Sequence, residues 1–377
     1  MGSRAGCAPL AFWCIVGWMV CFRFALKQGR WRCLLLICFV SQLSCASREA
    51  VGRSSLAVLG AGVVNNPQNK SLRFDILKFG LERFCEEMLG RGAPLRMSNQ
   101  EPVAGRFFAE SCESQIIDDE TRKSFVLQYS GKGYGWTNVT GRIGFRTRGL
   151  VEFAPDFRLH EGALYVYFRP RNITATQFET LSVGSPLAQA GIALTGVDPN
   201  ETGKQIVEGQ LRQGFTVIRY SNAGETDFGL GLIPPGQRPF RPFTVGESEN
   251  SELGNDRTEL QPGQQDFISG FSVRSKGQAL FLTFSVDGAP AVDAFIVPKG
   301  LGDVMVEQYI RGSAPATLNA PPLIDEVLAA GAPVKRFIPA PPGEYYLVLD
   351  HSQSIGRTTP SSGAARVDYL VQVGDAP

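Results

Sequence analysis

From about Phe107 to Val373 the chain repeats one pattern: short runs of β-branched and aromatic residues, each closed by turn formers. Runs bounded in this way by Gly, Pro, Asn or Asp read as strands. They fall at Ser124–Tyr129, Arg142–Arg148, Leu150–Phe153, Ala163–Arg169, Phe215–Arg219, Asp227–Leu232, Asp266–Arg274, Ala279–Val286, Ala291–Val297, Tyr345–Leu349 and Arg366–Val373. Strand side chains alternate, so Leu164, Val166 and Phe168 share one face and Tyr165 and Tyr167 the other. Two segments break the pattern. Leu72, Ile76, Phe79, Leu81, Phe84 and Leu89 recur near the helical period before Gly90 and Gly92. Residues 200–213 form a second, weaker helix with Ile206, Val207 and Leu211 inward. Asp198-Pro199-Asn200-Glu201-Thr202-Gly203 opens like a calcium loop, but Gly209 stands where the bidentate glutamate belongs. It reads instead as a helix N-terminus capped by Asn200 or Thr202. The fold class is α+β and β-rich. The Pro-rich stretch 234–243 acts as a linker between an N-terminal α+β domain (71–233) and an antiparallel β-sandwich (244–377).

Before this body lie two apolar runs. Ala8 to Phe22 is short for a membrane span, whereas Cys33–Leu43 follows Arg23, Lys27, Arg30 and Arg32. A basic segment, an apolar core and small residues at the exit are the parts of a secretory signal. Residues 1–45 therefore read as a signal segment, with translation starting near Met19; a membrane hairpin of both runs is the alternative. At the exit, Leu43-Ser44-Cys45 resembles the bacterial lipoprotein box, although Gln42 stands where leucine is usual. The resemblance implies acylation of Cys45, which anchors a protein to a membrane without a transmembrane helix. Ala46 after the cysteine resembles the pattern that sends such proteins to the outer membrane. Ordinary cleavage after Ala46 would give a soluble, secreted protein. Residues 46–70, polar and ending in Asn65, Asn66 and Asn69, read as a tether.

Six of the eight cysteines precede residue 46, which leaves Cys85 and Cys112 in the body. Two cysteines in an oxidising compartment read as one disulfide, worth about 3 kcal/mol of loop entropy, with two buried free thiols as the alternative. In the C-terminal region, Pro262-Gly263-Gln264-Gln265-Asp266-Phe267, Ala279–Val286, Val292-Asp293-Ala294-Phe295 and Pro342-Gly343-Glu344-Tyr345-Tyr346-Leu347-Val348 resemble the bacterial pre-peptidase C-terminal type of domain. The resemblance covers about 110 residues and implies a β-sandwich appended to a secreted or surface protein. The family's paired-aspartate strand is reduced here to Asp293 alone.

Little in the chain carries chemistry. Thirty-seven basic against 36 acidic residues exclude nucleic acid as a partner, since no excess of cations is available for phosphates. His160 and His351 are the only histidines, and Leu164 stands where an H-E-x-x-H motif needs its second one. Asp350-His351-Ser352 holds the three triad residue types, but neighbouring strand positions face opposite ways, so it reads as a turn. No G-x-S-x-G motif, metal set or cofactor motif is present. Gly131–Trp136 lacks the phosphate-loop signature and reads as a turn whose Tyr134 and Trp136 are a candidate ligand surface for sugars or lipids. The sequons at Asn69, Asn138, Asn172 and Asn200 read as chance matches beside a bacterial-looking signal. The leading expectation is a non-enzymatic envelope lipoprotein that binds or scaffolds an envelope protein, lipid or glycan at the cell surface or in the periplasm. A lipid or glycan carrier with an apolar pocket in 71–233 is the second, and a hydrolase using Asp118, Asp119 and Glu120 the third.

Overall fold

The computed structural model describes residues 66, 68, 69, 71, 74, 75, 84–89, 91–96, 101–119, 123–137, 141–184, 198–220, 226–245, 250–312, 318 and 320–376. The signal segment with Cys45, most of the tether, and Glu120 lie outside these residues. Of the first expected helix, Ser71, Phe74 and Asp75 are helical, and Phe84–Leu89 forms α1; its other positions lie outside the described residues.

The first β body is a seven-stranded antiparallel meander in which every strand pairs with the next in sequence. Its strands are β1 (Ala93–Leu95), β2 (Gly105–Asp118), β3 (Lys123–Thr137), β4 (Gly141–His160), β5 (Ala163–Val183), β6 (Phe215–Tyr220) and β7 (Thr226–Leu230). With 14 to 21 residues, β2 to β5 far exceed the usual five or six. Gly131–Trp136 is therefore strand interior, which corrects its reading as a turn. A Cβ at Gly131 would strike the Phe108 carbonyl oxygen, and one at Gly133 would strike that of Arg106. Glycine is there because the neighbouring backbone comes too close for a side chain.

The helix α2 (Pro199–Gln213) forms where the sequence predicts one, but its cap is Asp198, not Asn200 or Thr202: Asp198 Oδ1 accepts the Asn200 N–H at 2.9 Å, and Asn200 already lies in the first turn. Pro199 takes the first turn, and Gly214 (φ 67°) ends the helix. β6 pairs only with Ala163–Phe168, so the rest of β5 presents an edge on that side. Asn200 Oδ1 accepts the Thr180 N–H there (2.8 Å), and α2 packs on β5, which protects the edge from pairing with another strand. On one face of the meander the rings of Phe125, Phe153, Phe168 and Phe215 pack at 4.3–6.3 Å, Phe125–Phe153 and Phe168–Phe215 stacked and the other pairs edge to face. On the other, Tyr165, Tyr167 and Ile218 pack under Ile233. The Pro-rich stretch lies on that face: Tyr165 Oη accepts from Gly236 N (2.9 Å) and donates to the Gln237 carbonyl (3.2 Å).

The second body is an antiparallel sandwich of β8 (Ser251–Leu260), β9 (Gln264–Val273), β10 (Gln278–Asp287), β11 (Ala291–Pro298), β12 (Ile324–Ala329), β13 (Val334–Pro339), β14 (Gly343–His351) and β15 (Ala365–Asp375). The helix α3 (Lys299–Ile310) joins β11 to β12. One sheet runs β13-β10-β15-β8 and the other β12-β11-β14-β9. Every connection crosses between the sheets except the one through α3, and this order is the jelly roll.

The inner strands β11 and β14 of the β12-β11-β14-β9 sheet are buried on both faces. Val292, Ala294, Ile296, Leu347 and Leu349 fill the space between the sheets. Phe295, Val297, Tyr346 and Val348 point the other way, into a cluster with Met305, Val306, Tyr309 and Ile310 of α3 and with Phe108 and Tyr134 of the meander. Two-sided burial explains the unbroken apolar run Tyr345–Leu349, where a half-exposed strand would alternate.

At this seam Arg106 of β2 donates from Nε and Nη2 to the two carboxylate oxygens of Asp266 (2.6 and 2.7 Å). Tyr134 Oη donates to Asp266 Oδ1 (2.7 Å) and accepts from Phe267 N (2.8 Å). Burial works against the guanidinium charge, but Asp266 outweighs it and raises the Arg106 pKa above its usual value. Removing one member of a buried pair costs about 3–5 kcal/mol, because the other charge is stranded. Asp266→Ala should lower the urea unfolding midpoint accordingly. The double variant Arg106→Met/Asp266→Leu, which buries no charge, should lose much less; equal losses would contradict the pairing.

Candidate functional site

Cys85 of α1 and Cys112 of β2 form a disulfide, with Cα atoms 5.3 Å apart. The bond fixes α1 and the turn after it against the long meander. Tyr134 is not a surface residue, which corrects its place in a ligand surface: it is fully buried and tied to Asp266. Trp136, two positions on along β3, points into the same seam and donates Nε1–H to Tyr309 Oη (3.1 Å). Its outer side borders a hollow of about 130 Å³ with Pro102, Gln261 and Gln264. The two residues therefore hold the meander to the sandwich.

Asp350, His351 and Ser352 are also buried. Asp350 Oδ1 accepts from Ser352 N (2.9 Å) and Ser352 Oγ, and Oδ2 from Ile355 N (3.3 Å) and Gly356 N (3.2 Å). Burial pushes its pKa up, against the pull of those donors. Asp293, directly opposite on β11, accepts from Thr358 N (2.9 Å) and Thr358 Oγ1. His351 Nε2 lies 3.1 Å from the Gly363 carbonyl, and its buried Nδ1 makes no hydrogen bond. These side chains anchor the loop 352–358 and form no relay. Among the described residues, no group of three or more His, Cys, Asp or Glu could hold a metal. Asp118, in the hairpin end of β2, is partly exposed and pairs with Lys123.

A cleft of about 260 Å³ opens on the seam, with walls from α1, β2, β3, β9, α3 and β14. Its floor is shaped by a β-bulge. The β9–β14 register slips between Tyr345 and Leu347, so that Ser269 and Gly270 (φ 94°) together oppose Tyr346. A bulge of this kind re-aims a side chain, and glycine supplies the left-handed backbone it needs. Here Ser269 Oγ accepts from Gly92 N (2.6 Å). Tyr346 Oη donates to Asp303 Oδ1 (2.8 Å), and Lys299 Nζ reaches both Asp303 oxygens (3.0 and 2.8 Å). Burial and then Asp303 keep the Tyr346 phenol neutral far above neutral pH. On the facing wall, Lys132 Nζ lies 3.0 Å from Glu110 and 2.5 Å from Glu307. The hydrogen bond from Lys132 holds the Glu307 carboxyl below its usual pKa, and the two carboxylates raise that of Lys132 against its burial. The one local sequence signal of this cleft is Gly270, a glycine inside a strand.

No protein-family model matches the chain, and no curated protein matches it. Two solved structures share 12–13% identity. A carbohydrate-binding module CBM36 in complex with calcium and xylotriose aligns over 35% of this chain and 93% of its own, with a TM-score of 0.18. The T13 IBDV viral particle aligns over 71% and 75%, with a TM-score of 0.15. Among the described residues no helix is long and apolar enough to cross a membrane.

Cys85→Ser/Cys112→Ser should destabilise the protein by about 3 kcal/mol in urea unfolding, given the 27-residue separation that the bond closes. Non-reducing peptide mapping should recover both cysteines in one linked pair. Free thiols at both positions in the native protein would contradict it.

Proposed function

We propose that the chain is an exported, lipid-anchored envelope protein that works by binding or scaffolding and has no enzymatic activity of its own. The observation that carries this reading is the Cys85–Cys112 disulfide. The only two cysteines beyond Cys45 pair with each other, as suits an oxidising compartment outside the cytoplasm. Export would be directed by the basic flank and the Cys33–Leu43 run, and the anchor would be acyl chains on Cys45. The jelly roll at 251–375 supports the resemblance to the pre-peptidase C-terminal type of domain. Ala46 favours the outer membrane, with the folded body on its periplasmic or outer side.

The buried acidic groups support a binding role over a catalytic one. Asp266, Asp293 and Asp350 each accept two or more hydrogen bonds that hold the fold. The cluster of Phe125, Phe153, Phe168 and Phe215 fills one face of the meander with aromatic side chains, so the pinned cleft at the seam is the better binding site.

Cells expressing the chain and fed radiolabelled palmitate should label the protein, and Cys45→Ala should abolish the label. Label retained by Cys45→Ala, or none on the parent chain, would overturn the anchor.

A further inference from the structure

We propose that the seam cleft binds a neutral, polyhydroxylated ligand, a single sugar ring of a glycan. The inference rests on the binding role proposed above, but not on the lipid anchor.

The first support is charge balance. Three cations (Arg91, Lys132, Lys299) and three anions (Glu110, Asp303, Glu344) line the walls. Lys132 is already shared by Glu110 and Glu307, and Lys299 is held by Asp303. A ligand with net charge of either sign would meet opposing groups of equal number, whereas a neutral one would not. An acyl chain would have to desolvate those charged groups without offering them a hydrogen bond, which is costly.

The second support is hydrogen-bond chemistry. An ammonium only donates and a carboxylate only accepts. Lys299 and Asp303 stand 2.8 Å apart at the mouth and are about half exposed. A hydroxyl both donates and accepts, so neighbouring hydroxyls on one ring can meet both groups at once. Phe108, Val306 and Tyr346 close the bottom of the cleft with only their edges accessible, and Leu89, 46% exposed at the rim, offers the apolar surface for the ring's C–H face. An apolar lining with a few convergent polar groups is the usual make-up of a small-molecule site. At about 260 Å³ the cleft falls just under the ~300–1,000 Å³ of drug-sized sites and suits one ring.

The third support is that the walls are fixed. The disulfide holds α1 to β2, the Gly92–Ser269 bond ties the turn after α1 to the bulge, and Lys132 ties β3 to Glu307 of α3. A site already in its bound shape loses less free energy to ordering when a ligand arrives.

The test is saturation-transfer difference NMR on the full chain, purified in a detergent without a sugar headgroup. The probes are methyl glucoside, methyl galactoside, N-acetylglucosamine, glucuronate and palmitate. At least one neutral sugar should show transfer, and neither glucuronate nor palmitate should exceed it. Asp303→Ala and Lys299→Ala change half-exposed side chains, and each should weaken that binding about tenfold or more with the circular-dichroism spectrum unchanged. Transfer to no neutral sugar, stronger transfer to palmitate or glucuronate, or undiminished binding by both folded variants would overturn the proposal. An unlabelled Cys45 with intact sugar binding would sink the anchor and leave the cleft standing.

Discussion

The Arg106–Asp266 pair under the Tyr134 hydroxyl decides how the long meander meets the jelly roll. Arg106 and Tyr134 come from adjacent strands of one body, and Asp266 from β9 of the other. All three are removed from water, so none can leave its partners without exposing an unsatisfied charge or hydroxyl in a low-dielectric interior. Such a pair contributes less net stability than its short distances suggest, because both ions were desolvated to make it. Its three groups meet at 2.6–2.7 Å with β2 and β3 seated on the outer face of the β12-β11-β14-β9 sheet, and a shifted docking would strand them.

The aromatic packing follows from that docking. Once Tyr134 is seated, Tyr309 of α3 meets its ring edge-on at 4.9 Å and Trp136 reaches the Tyr309 hydroxyl. The Arg142 guanidinium lies over the Tyr309 ring at 4.2 Å. The cleft is the part of the seam left unfilled, and its walls belong to both bodies. A ligand seated there would touch both, so occupancy should stiffen the junction as well as fill a hole.

Much of the fold could be read from the residues. Ala279–Val286, Ala291–Val297 and Arg366–Val373 lie within two residues of the observed strands at each end, since β-branched runs between Gly and Pro leave few alternatives. The helix α2 was legible but its cap was not: Asp198 holds that place because Pro199 fits the first turn, which leaves Asn200 inside the helix. The α3 helix was not legible: it carries two glycines and lacks a side-chain cap. It forms because Met305, Val306 and Tyr309 are buried on β11 and β14, and Gly302 is needed where a Cβ would strike the Tyr346 ring. The edge strands β12 and β13 were missed because each buries a single residue, Leu328 or Ile338. Of the candidate site residues, the cysteine pair followed from counting. The cleft did not, because its lining comes from segments up to 257 positions apart (Leu89 to Tyr346) and is assembled only by the tertiary fold.

If the buried network joins the two bodies, they should open together. Hydrogen exchange followed by mass spectrometry across increasing urea measures this directly. Amides of Gly131–Trp136 in β3 and of Phe267–Phe271 in β9 should lose protection at one urea concentration. A meander that exchanges well before the jelly roll would show that the Arg106–Asp266–Tyr134 seam does not hold them as one unit.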